Sequence, residues 1–150
     1  MILLDVNVAI ALHRADHPHH ELATQWFTQV LDEERQFSVL DETWSGFVRV
    51  TTNRRIYPVP TPLADAFAFL HAIRRQPGHV DVHVSGRRVE MFERLCSEYE
   101  CSGDLIPDAF LAAAALILDA TVASFDRDFA RFEDLRWERP SVNAPRQASS

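Results

Sequence analysis

The sequence contains no lysine, because all fifteen of its basic side chains are arginine. Mechanisms that need a lysine amine are therefore excluded. These include the phosphate clamp of P-loop proteins, Schiff-base catalysis and the phosphoacceptor chemistry of receiver domains.

Cysteine and glycine are also scarce. The two cysteines, Cys96 and Cys101, are spaced neither as a CxxC redox pair nor as half of a zinc site, so we expect free thiols in a reducing compartment. With only four glycines and 47% hydrophobic residues, the sequence fits neither a collagen-like nor a disordered class. It predicts one globular domain.

Long hydrophobic runs are missing as well. The apolar start MILLDVNVAIAL lacks basic residues before it and contains Asp5, which argues against a signal peptide. The apolar run 109–118 is bounded by Asp108 and Asp119 and is shorter than the roughly 20 residues of a membrane helix. We therefore expect a cytoplasmic protein without a membrane partner.

The charge is acidic, with 22 acidic against 15 basic side chains and a net charge of −7. A surface of this sign repels phosphate as a whole. Any binding of nucleic acid must therefore depend on a local site rather than on the general surface.

The apolar pattern predicts short strands that alternate with helices. We expect strands at 2–4, 37–40, 80–84 and 121–125, separated by one or two helices each. Helices are predicted to open near Asp16, Asp41, Thr61, Ser85 and Pro107. This alternation predicts an α/β fold, a three-layer sandwich with a mostly parallel central sheet flanked by helices.

The composition changes near the end of the chain. From Pro140 onward it consists mainly of Pro, Asn, Gln, Ala and Ser, which is typical of a flexible tail. We therefore predict a domain at 1–139 and a flexible C-terminal tail at 140–150.

Acidic residues recur just after predicted strands or at helix starts. Asp5 follows the first strand, Glu42 follows the second, and Asp126 follows the last, while Asp108 opens the alanine-rich helix. In an open parallel sheet the binding crevice lies beyond the carboxyl ends of the strands, so these side chains are expected to converge.

Each acid taken alone has a structural explanation. Glu42 and Asp108 could stabilise the first turns of their helices, and Asp126 could form an Asx turn. Asp5 is harder to explain in this way, because a carboxylate at the end of an apolar strand is costly to desolvate unless a cation binds there.

Converging carboxylates repel one another, and a hard divalent cation removes that repulsion. Mg2+ takes oxygen ligands and leaves positions open for a substrate phosphate, and Mn2+ is expected to substitute for it. The chemistry that this predicts is metal-assisted hydrolysis of a phosphodiester.

Four segments carry a family resemblance: MILLDVN, LDETWSGFVRV, IPDAFLAAAAL and VASFDRDF. In order and spacing they resemble the four acidic motifs of PIN-domain nucleases. The similarity is greatest to the VapC-type toxins of bacterial type II toxin–antitoxin systems, and it spans about residues 1 to 137. It implies a PIN-like fold for the predicted domain.

The resemblance implies roles for individual residues. The catalytic acids would be Asp5, Glu42, Asp108 and Asp126, with Asp5 and Asp108 as the direct Mg2+ ligands. The supporting residues would be Asn7, Asp104, Ser124 and Asp128, with Asp104 an alternative acid in the third motif.

The resemblance also implies a function and partners. The protein would be the toxin of a toxin–antitoxin pair, a Mg2+-dependent endoribonuclease that hydrolyses structured RNA and inhibits translation. It would form a homodimer and bind a cognate VapB-type antitoxin.

Two other functions remain open from the residues alone. An aspartate-dependent phosphatase would use Asp5, although such enzymes resemble a DxD pattern and this chain has Asn7 at the second acidic position. A catalytically inactive PIN domain that only binds a partner is the other alternative.

Basic and imidazole side chains suggest secondary sites. Arginines can grip phosphates bidentately, and the three that follow the Glu42 motif are candidate RNA-binding residues: Arg49, Arg54 and Arg55. His17, His19 and His20 lack the spacing of a zinc site, and we expect them to lie in solvent at a helix start.

Overall fold

A computed structural model describes residues 1–142 and contains a four-stranded sheet. The sheet order is β2-β1-β3-β4, and every neighbouring pair of strands is parallel. The strands are β1 (Ile2–Leu4), β2 (Phe37–Ser38), β3 (Thr121–Ala123) and β4 (Arg136–Glu138).

Helices cover both faces of this sheet, which confirms the predicted three-layer α/β sandwich. They are α1 (Val6–His13), α2 (His20–Asp32), α3 (Asp41–Thr51), α4 (Leu63–Arg74), α5 (Arg88–Glu98) and α6 (Leu105–Leu118), with a 3-10 helix at Arg127–Arg131. No helix within residues 1–142 has both the length and the apolar character needed to cross a membrane.

The first strand joins two hydrophobic cores because its side chains alternate between the sheet faces. Ile2 and Leu4 pack with the aromatic residues of α2 and α3, whereas Leu3 packs against α6. All three side chains are at most 2% exposed. Burial of each contributes about 1.5 to 3 kcal/mol, which is why so short a strand is stable at the centre of the sheet.

The strand order determines where a site can form. The chain passes from β1 to β2 on one side, and β3 then pairs with β1 on the other side. The direction of winding therefore changes between β1 and β3. A crevice opens at such a switch point, beyond the carboxyl ends of the strands.

The predicted strand at 80–84 is wrong. Within the described residues this segment contains no strand; the nearest pairing is an isolated bridge between His79 and Phe37, to which the Val80 N–H adds one hydrogen bond to the Phe37 carbonyl. Val82 and Val84 are half-buried against the α6 core while Asp81 and His83 are exposed. The alternation of valines therefore reflects burial of one side of an extended segment. It does not indicate that the segment pairs with a strand of the sheet.

Three local features differ from the sequence pattern. Asp16 does not cap a helix: it forms an ion pair with Arg14 at 2.7 Å, and α2 begins only at His20. Helix α1 was not predicted because it is apolar on nearly all sides, and β4 was not predicted because this short edge strand, Arg-Trp-Glu, is largely polar.

The predicted tail falls mostly on residues 143–150, which lie outside the described part of the chain. Pro140, the first residue of the predicted tail, is fully buried.

Candidate active site

Asp5 ends the first strand and caps the first helix. Its backbone is extended, and its Oδ1 accepts a hydrogen bond from the Val6 backbone N–H at 2.7 Å. Its Oδ2 accepts the Ser124 hydroxyl at 2.7 Å and the Asn7 amide at 3.3 Å. The Asp5 carboxylate is therefore fixed in orientation at the carboxyl edge of the sheet.

Asn7 and Ser124 tie the loops after β1 and β3 together. The Asn7 amide donates to the Ser124 hydroxyl at 3.0 Å and accepts the Phe125 backbone N–H at 3.1 Å. The Ser124 hydroxyl, which is fully buried, also accepts the Asp126 backbone N–H at 3.0 Å. Both residues thus hold the Asp5 carboxylate and the segment after β3 in fixed positions.

Asp108, Asp126 and Asp128 form a tight acidic group. One carboxylate oxygen from each lies within 4.8 Å of the other two. Asp108 is in the first turn of α6, and Asp126 caps the 3-10 helix by accepting the Asp128 backbone N–H at 2.9 Å. The group therefore brings together Asp108, a predicted metal ligand, Asp126, a predicted catalytic acid, and Asp128, a predicted supporting residue.

The electrostatics of the site favour a cation. Burial, and after it the negative charges of Asp126, Asp5 and Asp128, together raise the pKa of Asp108 to about 7. Burial also raises the pKa of Asp5, against the opposing hydrogen bonds from Ser124 and Val6. A carboxyl group whose proton affinity is raised by neighbouring carboxylates attracts a metal ion as readily as a proton.

The donor set fits a hard divalent cation. All three members of the acidic group offer carboxylate oxygen, the ligand type that Mg2+ and Mn2+ prefer. Two oxygens bound to one Mg2+ at about 2.0 to 2.1 Å lie up to about 4.2 Å apart, close to the spacing seen here. Asp5 is not part of this group, although its charge acts on Asp108.

A pocket of about 550 Å³ opens beside these acids. Asp5, Glu42 and Asp108 line it together with Arg49. This pocket, called the acid pocket below, brings three of the four predicted catalytic acids and one of the predicted RNA-binding arginines to a common space.

Arg88 also lies in this region, and no specific role is predicted for it from the sequence. It opens α5, is only 12% exposed, and forms an ion pair with Glu42. Its Nε and Nη2 donate to the Phe110 carbonyl at 3.2 and 2.9 Å, and its guanidinium lies 3.5 Å from the centroid of the Phe110 ring. The only sequence signal was the doublet with Arg87.

Other predicted residues lie apart from the acidic group. Asp104 is exposed at the N-cap position of α6, and Arg54 and Arg55 are exposed in the turn after α3. None of these three lines the acid pocket.

The histidine segment is less solvated than expected. His19 stacks on Phe125 with ring centroids 4.6 Å apart, and the His20 Nδ1 lies 2.7 Å from the Ala11 carbonyl. His17, His19 and His20 are all partly buried, and within residues 1–142 they form no metal-binding group. The segment does lie at a helix start, since α2 begins at His20, but the expectation that its histidines lie in solvent was wrong, because α1 and the segment after β3 pack against them.

Asn7 also bears on the phosphatase alternative. That chemistry requires a second acid two residues after Asp5, and here the amide at that position is used to hold Ser124 and Phe125. The geometry therefore disfavours a phosphatase.

Comparison with known proteins identifies the family. The PIN domain family matches residues 2–135. The chain is 46% identical over 142 residues to ribonuclease VapC25 of Mycobacterium tuberculosis, covering 95% of this chain and 100% of that protein.

Solved structures agree on the fold. The crystal structure of VapBC2 from Rickettsia felis, bound to a DNA fragment from its promoter, superposes with a TM-score of 0.69 at 15% identity, covering 93% of this chain and 98% of that one. VapC20 of Mycobacterium tuberculosis, a sarcin-ricin loop cleaving toxin, gives 0.64 at 18% identity, covering 87% and 93%. Together with the acidic motifs, these comparisons establish that the chain belongs to the PIN domain family and, within it, to the VapC ribonucleases.

Proposed function

We propose that this protein is a toxin that cleaves structured RNA in the cytoplasm as a Mg2+-dependent endoribonuclease and thereby inhibits translation. One observation carries the proposal: Asp108, Asp126 and Asp128 converge at the sheet edge, with Asp5 close enough to raise the pKa of Asp108. A bound cation would offset the repulsion among these carboxylates in their ionised form.

The proposed roles follow the geometry of each side chain. Asp108 and Asp126 hold the ion, and Asp128 supports them from the rim. Asp5 is the further predicted ligand, oriented by Ser124 and Asn7. When bound, Mg2+ would activate water and offset the charge that develops on the phosphate.

Glu42 and Arg49 have proposed roles in the same pocket. Glu42 is the fourth catalytic acid, and its carboxylate is held by Arg88 at the pocket wall. Arg49 lines the acid pocket and supplies a guanidinium for an RNA phosphate there. It would be the predicted arginine nearest to the cleaved bond. Arg54 and Arg55 would contact RNA farther from the cleaved bond.

The proposed partners follow from the relatives. VapBC structures from Rickettsia felis and from nontypeable Haemophilus influenzae share this fold. We therefore expect a homodimer that binds a cognate VapB-type antitoxin. An arginine of the antitoxin inserted among the acids would neutralise the site.

Induced expression in bacteria tests the proposal. The parent protein should stop growth and protein synthesis and create new 5′ ends at defined positions in total RNA. Asp126→Asn should produce neither effect. Asp134→Asn, which changes an exposed aspartate near the same loop, should behave as the parent does. The same new ends from Asp126→Asn would overturn the assignment.

A further inference from the structure

A second pocket of about 520 Å³ adjoins the acid pocket. It lies past the carboxyl end of β2 and is lined by the first turn of α3, the end of α4 and the extended segment 79–84. Glu42 lines both pockets, so they share a wall. The second pocket therefore begins on the other side of Glu42, next to any RNA strand bound in the acid pocket.

The shared wall carries a fixed cation. Arg88 lines the second pocket, pairs with Glu42, and is held in place by the carbonyl and ring of Phe110. This guanidinium is fixed by three contacts at the junction between the two pockets, where its charge balances that of Glu42.

Inside the second pocket an anion position is already built. One oxygen of Asp81 lies 3.4 Å from the Arg74 guanidinium and 3.9 Å from Nδ1 of His79. Asp81 is 76% exposed and Arg74 is 48% exposed, whereas His79 is only 7% exposed. Of the two groups that contact the carboxylate, His79 is held by burial and Arg74 is half exposed. The Asp81 carboxylate itself is a weakly held surface group.

A phosphate fits this position better than Asp81 does. The two contacts of Asp81 are long for an ion pair, and exposed pairs of this kind are weak. A phosphate can instead accept two parallel hydrogen bonds from the Arg74 guanidinium on two of its oxygens and a further hydrogen bond from the imidazole of His79. Burial lowers the pKa of His79, so Arg74 provides the charge and His79 the hydrogen bond.

We propose that the pocket lined by Arg74, His79 and Asp81 is a subsite for a backbone phosphate of the RNA segment that flanks the cleaved bond. This inference rests on the proposed ribonuclease function. Asp81 then acts as an internal competitor that the RNA displaces, so the two exposed members of the ion pair have opposite effects on RNA binding.

Binding of RNA to a cleavage-inactive protein tests this directly. Fluorescence anisotropy would follow a fluorescein-labelled RNA stem-loop of mixed sequence in the Asp108→Asn background without divalent ions. Arg74→Gln should weaken binding about 3- to 10-fold and reduce the slope of log K against log salt by about 0.7 to 0.9, the loss of one phosphate contact. Asp81→Asn should tighten binding about 3-fold.

Matched controls separate the subsite from general charge. Arg75→Gln removes the adjacent exposed arginine, which does not line the pocket, and should leave affinity within 2-fold of the background. In the cleavage-competent protein, Arg74→Gln should raise KM with kcat unchanged. Thermal melting should show that these exposed substitutions preserve the fold.

The outcomes distinguish the two proposals. If the parent protein cleaves RNA but Arg74→Gln and Asp81→Asn shift affinity in the same direction, or no more than Arg75→Gln does, the subsite is wrong and the ribonuclease assignment stands. If the parent protein fails to cleave any RNA with Mg2+ present, the proposed function itself fails.

Discussion

Asp108→Asn should abolish cleavage and at the same time stabilise the metal-free protein at alkaline pH. The folded-state pKa of Asp108 is raised from 3.8 to about 7 by burial and by Asp126, Asp5 and Asp128. The folded protein therefore binds more protons than the unfolded chain between these values. Its stability falls as pH rises through this window, and the full cost is present above pH 7.

The expected change in the free energy of unfolding follows from the size of the pKa shift of Asp108. A change from 3.8 to about 7 corresponds to about 4 kcal/mol for a fully buried group. Asp108 is only half-buried, so screening by solvent reduces the expected effect to about 2 kcal/mol. For a chain of this size that is a rise in Tm of about 4 to 8 °C.

The assay is thermal melting in EDTA at pH 8 and at pH 4.5. Asp108→Asn should melt above the parent at pH 8, and the difference should shrink to about a quarter at pH 4.5, where Asp108 is protonated in the folded protein but still largely ionised in the unfolded chain. Asp104→Asn, an exposed aspartate of the same segment, should change Tm by no more than 1 °C at either pH. A variant that melts at or below the parent at pH 8 would refute the electrostatic argument.

Three further predictions concern the neighbours of this group. If Arg88 acts by positioning Glu42, then Glu42→Gln lowers the cleavage rate roughly 100-fold, Arg88→Gln lowers it about 10-fold, and the double variant is no slower than Glu42→Gln alone. Arg87→Gln is the control, and a fully additive double variant would sink the idea. Binding of Mn2+ should release close to one proton per ion at pH 6 and almost none at pH 8.5, since the pKa of Asp108 is about 7. Calorimetry in buffers of different ionisation enthalpy measures this, and equal release at both pH values would contradict it. Ser124→Ala should cost about 1 to 3 kcal/mol in stability, because it leaves the Asn7 amide and the Asp126 N–H without their buried acceptor. Denaturant unfolding against Ser97→Ala, an exposed serine, checks this; an equal Cm for both variants would oppose it.

The sequence was sufficient to predict that Asp5 and Asp126 lie at the carboxyl edge of the sheet, because both follow short apolar strands. Asp5 after Ile2–Leu4 and Asp126 after Thr121–Ala123 could be positioned by the rule that parallel strands share their carboxyl ends. Asn7 and Ser124 followed from the family motifs, and their hydrogen bonds to each other and to Asp5 are what the structure adds.

Other features depend on contacts between distant segments. The pairing of Arg88 with Glu42 joins α5 to α3 across 46 positions of sequence, and no local pattern encodes it. The alternation of Val80, Val82 and Val84 predicted a strand, whereas tertiary packing uses the segment as the extended wall of a pocket. Local periodicity reports which side chains are buried but not what the backbone pairs with.

The most direct test of the account is RNA cleavage by the purified protein as a function of Mg2+. The parent protein should cleave RNA with Mg2+, lose all cleavage in excess EDTA, and recover it when Mg2+ is restored, whereas Asp108→Asn should be inactive throughout. Full cleavage in EDTA, or full cleavage by Asp108→Asn, would contradict the claim that these acids form a metal-dependent nuclease site.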